Sequence, residues 1–549
     1  MTIVDMLRRN VALYPQETAL VEINPEQPEN RHLTWREYSL VESTTKTPYR
    51  REMTWQVFDE KANRFANLLI SRGIHKGDKV AILLYNCIEW LPIYFGVLKA
   101  GATVVPLNFR YDTAEIEHCV GISESVVLLF GPEFIGRIER IVGRIAPGRL
   151  LFYVGNDCPT WAEPYHELTA FCSSTDPMIP LGEHEDAAIY FSSGTTGMPK
   201  AILHHNQSLT QAAEMEVVHH KTTHDDVFLC IPPLYHTGAT MHWMGSLLTG
   251  SRAVLLRGSS PRSIIEAVSS ERCTIVWLLV PWAQDILVAL EEGQLDLADY
   301  ELDQWRLMHI GAQPVPKSLI ARWKEVFPHH DYDTNYGLSE SMGPGCVHLG
   351  LENIDHVGAI GVPGYRWECK IVDDAGTEVA QGEVGELLVR GPGLMECYYN
   401  DPEATAETLI DGWLHTGDMA QQDDDGFYWL VDRKKDVIIM GGENIYPVQI
   451  EAFLMAHPAV KDVAVIGLPD KRLGEISAAV VELKPEAEHE DLSIVQADLE
   501  RFCMDLPRYK RPRKYIFAPV PRNGTGKIEK PVLRERYGAA GLVAKENRS

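Results

Sequence analysis

Short apolar runs, each bounded by turn formers and followed by a helical pattern, set the grammar of this chain. Residues 80–84 (VAILL) follow Gly77-Asp78 and read as a buried strand. Residues 90–99 carry the helical period, and residues 101–106 (GATVVP) return to a strand. The alternation recurs at residues 125–130 (SVVLLF), 253–256 (AVLL) and 274–280 (TIVWLLV). Strands alternating with helices predict an α/β fold: a large N-terminal body of mixed or parallel sheets flanked by helices. One local duplication stands out. Arg31-His32-Leu33-Thr34-Trp35 is echoed by Arg51-Glu52-Met53-Thr54-Trp55, with aromatics following at Tyr38 and Phe58. One copy is expected to open a helix through residues 61–70, and the other to be inserted surface structure.

The pattern changes near residue 423. An acidic turn, Asp423-Asp424-Asp425-Gly426, precedes a short apolar strand at 427–431 and the charged run Asp432-Arg433-Lys434-Lys435-Asp436. Beyond it, strands at 460–466 and 477–483 alternate with helical stretches. The expected organisation is a large domain over residues 1–433, a junction at 434–435, and a small α+β domain over residues 436–549.

Composition narrows the function. The 549 residues carry 51 Lys+Arg against 77 Asp+Glu, a formal charge of −26. That balance argues against bulk nucleic-acid or anionic-membrane binding, which need an excess of basic side chains. The most apolar long stretch, residues 273–290, contains Pro281, Gln284 and Asp285 and falls short of a spanning helix. No basic-then-apolar leader is visible at the start, so a cytoplasmic protein is expected. The 10 cysteines include no C-x-x-C pair, which disfavours a zinc ribbon or a dithiol redox site.

The strongest chemical signal is Ser192-Ser193-Gly194-Thr195-Thr196-Gly197-Met198-Pro199-Lys200, entered directly from an apolar strand. Glycines let successive backbone N–H groups converge on one anion, hydroxyls add neutral donors, and Lys200 adds a mobile charge. A polyphosphate needs that combination. The spacing is not that of a Walker A loop, and Pro199 disfavours a helix opening at the lysine.

This stretch resembles the signature loop of the adenylate-forming superfamily, which includes acyl-CoA synthetases, luciferase and adenylation domains. Further motifs follow in the family's order: Tyr336-Gly337-Leu338-Ser339-Glu340, Trp413-Leu414-His415-Thr416-Gly417-Asp418, the run from Asp432 to Asp436, Gly441-Gly442-Glu443, and Gly524-Thr525-Gly526-Lys527. The resemblance covers the chain from about Leu33 onward. It implies a small C-terminal domain that rotates between two half-reactions, with Lys435 at the hinge.

The resemblance implies roles that the residue types support. Glu340 is an oxygen ligand suited to Mg²⁺ beside nucleotide phosphates, with Thr195 as a second donor. The loop from Ser192 to Gly197 with Lys200 suits the phosphates, and Gly337 and Ser339 are expected among the residues that bind ATP and AMP. Tyr336 offers a flat face to the purine, and Gly311-Ala312-Gln313 a close backbone edge; Gln313 departs from the family's usual alanine. Asp418 and Arg433 suit the ribose hydroxyls, Lys527 the substrate carboxylate and α-phosphate, and Gly441-Gly442 the passage of the coenzyme A thiol. ATP, Mg²⁺, coenzyme A and a small carboxylic acid are the implied partners, with a homodimer left open.

The branch follows from what is missing. Residues 233–238 (PLYHTG) lack the acidic residue that pairs an amino-acid ammonium, and only 22 residues follow Lys527, too few for a carrier domain. Coenzyme A is therefore the expected acceptor, and a basic cluster at 508–514 is expected to attract it. His236, Met241, Trp243 and Gly245 are expected to line an acyl pocket for a medium-chain, alicyclic or aromatic acid. The pairs His204-His205, His219-His220 and His329-His330 are expected at the surface. A luciferase-like or carrier-directed enzyme shares the ATP motifs, and a non-catalytic nucleotide-binding protein would be expected to lack Lys527 or Glu340.

Overall fold

The computed structural model describes residues 1–28, 48–145, 147–192, 198–311, 315–441, 443–485, 487, 491–522 and 528–538. Packing divides these into two units. The first holds the described residues up to 192, 198–369 and 389–414; the second holds 370–388 and those from 415 onward. These units reflect compaction, whereas the expected junction at 434–435 concerns rotation.

The first unit is α/β, as the alternation predicts. The apolar runs become strands Lys79–Leu83, Thr103–Pro106, Val127–Phe130, Arg252–Leu256 and Ile275–Leu279, and the helix at Trp90–Lys99 has the predicted bounds. An eight-stranded sheet runs in the order 397–398, 201–205, 186–191, 103–106, 79–83, 127–130, 150–153, 163–164. A seven-stranded sheet runs 331–333, 307–311, 275–279, 227–230, 252–256, 18–28, 48–54 and is parallel except for its last pair. Central parallel strands are covered on both faces, so Val80, Ala81, Ile82 and Leu83 are all buried.

The second copy of the duplicated segment opens helix Trp55–Ser71, whose first turn is capped by the Thr54 hydroxyl accepting from the Val57 N–H. The first copy, with Tyr38, lies outside the described residues. In the second unit an antiparallel ladder joins Val460–Asp470 to Gly474–Leu483, with Lys514–Phe517 parallel to the latter. Val463, Val465, Val481 and Leu499 anchor its core. Among the described residues no helix is long and apolar enough to cross a membrane.

One buried cation braces the first unit. Lys99 is fully buried, and its ammonium reaches Asp59 at 2.5 Å, Asp176 at 2.7 Å and the Asn63 side-chain oxygen at 2.7 Å. Against the effect of burial, hydrogen bonds from Arg8 and Lys99 hold the Asp176 carboxyl well below the usual range. Its depressed value adds stability that is present above the ordinary carboxylate range and lost as pH falls through it. Lys99→Met should therefore lower the unfolding free energy by about 3–5 kcal/mol at neutral pH, the scale for stranding buried charge. The gap between parent and variant should narrow in acid. Urea titrations at neutral and acidic pH measure both effects, and a gap independent of pH would contradict the assignment.

Candidate active site

The hydroxyl-rich loop leaves strand Asp186–Phe191 and returns as Ala201–His205, and the two strands pair with Phe191 opposite Ala201. The Ser192 N–H donates to the Lys200 carbonyl at 3.1 Å, and the Lys200 N–H to the Ser192 hydroxyl at 3.3 Å. The neck of the loop is thus closed by a short ladder. Ser193, Gly194, Thr195, Thr196 and Gly197 lie outside the described residues.

Lys200 and Glu340 converge on one tyrosine. The Tyr398 hydroxyl donates to Glu340 Oε1 at 2.8 Å, and the Lys200 ammonium lies 4.9 Å from the centre of the Tyr398 ring and 4.0 Å from Asp401. Tyr398 arrives on the short strand Cys397–Tyr398, which pairs with Ala201–His205. Burial, then Glu340, push its hydroxyl upward, so it stays a neutral donor. The turn carrying Glu340 is pinned from both sides. Its carbonyl accepts from the Met395 N–H at 2.7 Å, and a ring nitrogen of His204 lies 2.7 Å from the Ser339 carbonyl.

Tyr336 and Gly337 sit on strand Asn335–Leu338, paired with Gly343–His348, with Tyr336 only 8% exposed. Between the strands Met342 and Gly343 both take positive φ, 61° and 97°. A Cβ at Gly343 would lie 3.0 Å from the Thr237 carbonyl, so only glycine lets this turn touch the start of helix Thr237–Thr249. His236 caps that helix, its Nδ1 accepting from the Gly238 N–H at 3.2 Å.

That helix does not present all the expected pocket residues to one wall. The Trp243 ring lies 5.7 Å from Phe95 and 6.1 Å from Phe58, inside the main core. Gly245 faces the neighbouring helix Asn206–His220, where a Cβ would come within 2.7 Å of Glu216. Both positions are thus accounted for by packing. The Met241 side chain lies outside the described residues, as do Ala312 and Gln313. Gly311 closes strand Leu307–Gly311 and is buried.

The expectation of surface histidines is corrected. His204 and His220 are fully buried and His330 is 5% exposed. Successive helix positions point about 100° apart. His220 therefore turns inward, while His219 stacks on His348 with ring centres 3.9 Å apart.

In the second unit, Asp418 and Arg433 face each other across strands Trp413–Gln422 and Tyr428–Arg433, with Arg433 Nε 3.2 Å from Asp418 Oδ1. Asp418 is held by its own turn: its N–H donates to the Thr416 hydroxyl, which donates to the Leu387 carbonyl. The charged run then divides its labour. Lys434 pairs with Asp374 at 2.9 Å and Asp436 with Arg534 at 2.8 Å, while Lys435 is exposed in part and its ammonium is lowered by burial and Arg433. Gly441 takes φ 64° and donates to the Leu473 carbonyl; Gly442 and Lys527 lie outside the described residues. A bridge between Arg522 and Ile528 closes the neck of the lysine's loop. In the basic cluster, Lys510 donates to the Gln449 side chain at 2.6 Å and Arg511 to the Leu506 and Met504 carbonyls at 2.8 and 2.7 Å. Arg511 is therefore spent on its own loop.

Strand pairing thus sets Lys200, at the neck of the loop, and the Glu340 turn about one tyrosine of an α/β unit, and a small α+β unit follows in the chain. Residues 7–399 match the AMP-binding enzyme family, and residues 449–527 match the AMP-binding enzyme C-terminal domain. A feruloyl-CoA synthase of an Amycolatopsis species is 34% identical over 487 residues, 86% of this chain and 92% of that protein. The long-chain-fatty-acid–CoA ligase FadD13 of Mycobacterium tuberculosis is 32% identical over 483 residues, 87% of this chain and 92% of that one. The solved anthranilate CoA ligase AuaEII, in complex with anthranoyl-AMP, superposes with a TM-score of 0.83 at 26% identity, covering 99% of this chain and 98% of that one. The chain belongs to the AMP-binding enzyme family, in the acyl-CoA synthetase branch of the adenylate-forming superfamily.

Asp432, at the start of the charged run, carries a testable pH signature. Its carboxylate accepts from the Arg433 and Val448 N–H groups, yet burial pushes it up to about 6. A raised carboxyl favours the protonated folded state, so its contribution to stability falls as pH rises from about 4 to about 7. Asp432→Asn should remove that loss. Relative to the parent, the variant should gain up to about 3 kcal/mol across the window. Urea midpoints measured at several pH values check this, and parallel pH profiles would refute it.

Proposed function

We propose that the chain is an AMP-forming acid–CoA ligase that activates a medium-chain, alicyclic or aromatic carboxylic acid. The observation that carries this reading is the convergence of Lys200 and Glu340 on Tyr398, at the closed neck of the anion loop. In the first half-reaction an oxygen of the acid attacks the α-phosphorus of ATP, and pyrophosphate leaves. Lys200 and the backbone of the loop from Ser193 to Gly197 hold the phosphates, and Tyr336 and Gly311 flank the purine. Asp418, with Arg433, receives the ribose hydroxyls. Lys527 neutralises charge on the reacting oxygens. Mg²⁺, when bound, neutralises the phosphate oxygens, and Glu340, a hard oxygen donor on a doubly pinned turn, fits as its ligand, with Thr195 as the second donor.

In the second half-reaction the thiol of coenzyme A attacks the acyl carbon and AMP leaves with the oxygen the acid brought. Lys435 is the proposed pivot that exchanges Lys527 for Gly441-Gly442 between the steps. The named activities of the relatives, on feruloyl and long-chain acyl groups, bracket the acids to be tried. All ten cysteines are free, which suits a reducing, cytoplasmic setting.

The test is a panel of aliphatic, alicyclic and aromatic acids scored for acid-dependent pyrophosphate release and then for thioester. Pyrophosphate release without thioester would favour a luciferase-like or carrier-directed enzyme, and neither product with any acid would overturn the reading. Two variants should separate the steps. Lys527→Ala should lose roughly 10²–10³-fold in adenylation yet pass a supplied acyl-adenylate to coenzyme A nearly normally. Gly442→Leu should do the reverse. Equal damage to both steps in Lys527→Ala would mean one fixed site performs both.

Tyr398→Phe removes a hydrogen bond to a charged group, worth about 1.5–3 kcal/mol. Adenylation should fall by roughly 10–100-fold, with thioester formation from supplied adenylate unchanged. Wild-type adenylation in this variant would show that Tyr398 does not position Glu340.

A further inference from the structure

Beneath the strand ends of the first unit lies a fully buried set of imidazoles and carboxylates that the proposed reaction does not use. His309 and Asp333 are register partners on adjacent parallel strands, so their side chains share one face of the sheet. Helix Asn206–His220 crosses that face and contributes Glu216 and His220, four residues apart and hence stacked on one side of the helix. One donor atom each from His220, His309 and Asp333 lies within 4.8 Å of the others, and all three residues are buried.

The hydrogen bonds fix where the lone pairs are. His242 Nδ1 lies 2.6 Å from the Gly238 carbonyl, so that nitrogen carries the hydrogen and His242 Nε2 is an acceptor. His242 Nε2 is in close contact with His309 Nδ1, which must therefore carry a hydrogen. His309 Nε2 is left as a bare lone pair, with no hydrogen-bond partner among the described residues.

His220 lies between two buried carboxylates, with Nδ1 2.9 Å from Glu216 and Nε2 2.8 Å from Asp333. His348 Nδ1 reaches the same Asp333 oxygen at 3.2 Å.

We infer that this cluster is a structural divalent-cation site, with His220, His309 and Asp333 as ligands to zinc and Glu216 as the partner that orients His220. Two imidazoles and one carboxylate suit zinc better than Mg²⁺ or Ca²⁺, which take all-oxygen sets. On binding, His220 Nε2 would present its lone pair to the metal, and its proton would leave to solvent. His220 Nδ1 lies 2.9 Å from Glu216, and a turn of the ring would bring its N–H onto that carboxylate, the carboxylate–histidine–zinc arrangement that fixes a ligating ring. The second oxygen of Asp333 is already held by the Gly350 N–H at 2.9 Å. Zinc bonds of about 2.0–2.1 Å set tetrahedral ligand atoms about 3.3 Å apart. The His220–Asp333 contact would open by about half an ångström and His309 would move inward, shifts within the reach of side-chain rotation. The ion would tie the helix to the two strands that lead to residues 312–313 and to Tyr336.

The test uses the full chain without a polyhistidine tag, expressed in zinc-supplemented medium and gel-filtered in buffer with excess Mg²⁺. Elemental analysis should find about one zinc per chain, and Co²⁺ supplied instead should give the visible absorption of a tetrahedral nitrogen–oxygen site. His309→Phe should lose the metal, and Glu216→Gln should weaken it roughly 10–100-fold. A chain that folds and adenylates acids but retains no zinc, and shows no Co²⁺ band, overturns the assignment. Zinc retained equally by His309→Phe overturns it too. The Co²⁺ spectrum of the unmutated chain decides the question even if both variants fail to fold.

Discussion

Parallel pairing is the constraint on which the rest of the first unit depends. Strands Ile275–Leu279, Leu307–Gly311 and Asp331–Asp333 lie side by side in one direction, so the first two must each be followed by a crossover that returns over a face of the sheet. The consequence is that their carboxyl ends share one edge. Gly311 and the segment leading to Tyr336 leave from that edge, and so candidate purine contacts distant in sequence become neighbours. The same register sets Trp277, His309 and Asp333 in a row across three strands.

The eight-stranded sheet works differently at the end that carries the candidate phosphate loop. There the pairing turns antiparallel between Asp186–Phe191 and Ala201–His205, which closes the neck of the anion loop. A further antiparallel strand adds Tyr398 beside Lys200. Local placement of charge therefore matters more than the formal charge of −26. Lys200 lies 4.0 Å from Asp401 and Arg433 lies 3.2 Å from Asp418, so each cation is held near a carboxylate.

Much of this was legible in the sequence because it is local. Continuous apolar runs marked the parallel strands, and the bounds of helix Trp90–Lys99 followed from its period. The loop from Ser192 to Lys200 and the turn at Glu340 announced themselves by residue type and order. What the sequence hid is non-local. Tyr398 has no motif of its own and reaches Glu340 only through sheet pairing. Trp243 and Gly245 share a helix with His236 but face other neighbours, which residue type alone does not decide. Residue type does not show that His220 turns inward on its helix, that His204 faces inward on its strand, or that His330 packs against Trp305 and Phe327. The spacing of Glu216 and His220, a carboxylate four residues before an imidazole, was the available signal that one of the pair turns inward.

The central claim is that the acid itself attacks the α-phosphorus of ATP, and an isotope-transfer measurement tests it most directly. A turned-over acid labelled with heavy oxygen in its carboxylate should place one labelled oxygen in the phosphate of AMP, with none in pyrophosphate, because the bond made in the first step is broken on its carbon side in the second. Label found in inorganic phosphate, with ADP as the nucleotide product, would mean that an acyl phosphate forms instead and would contradict the account.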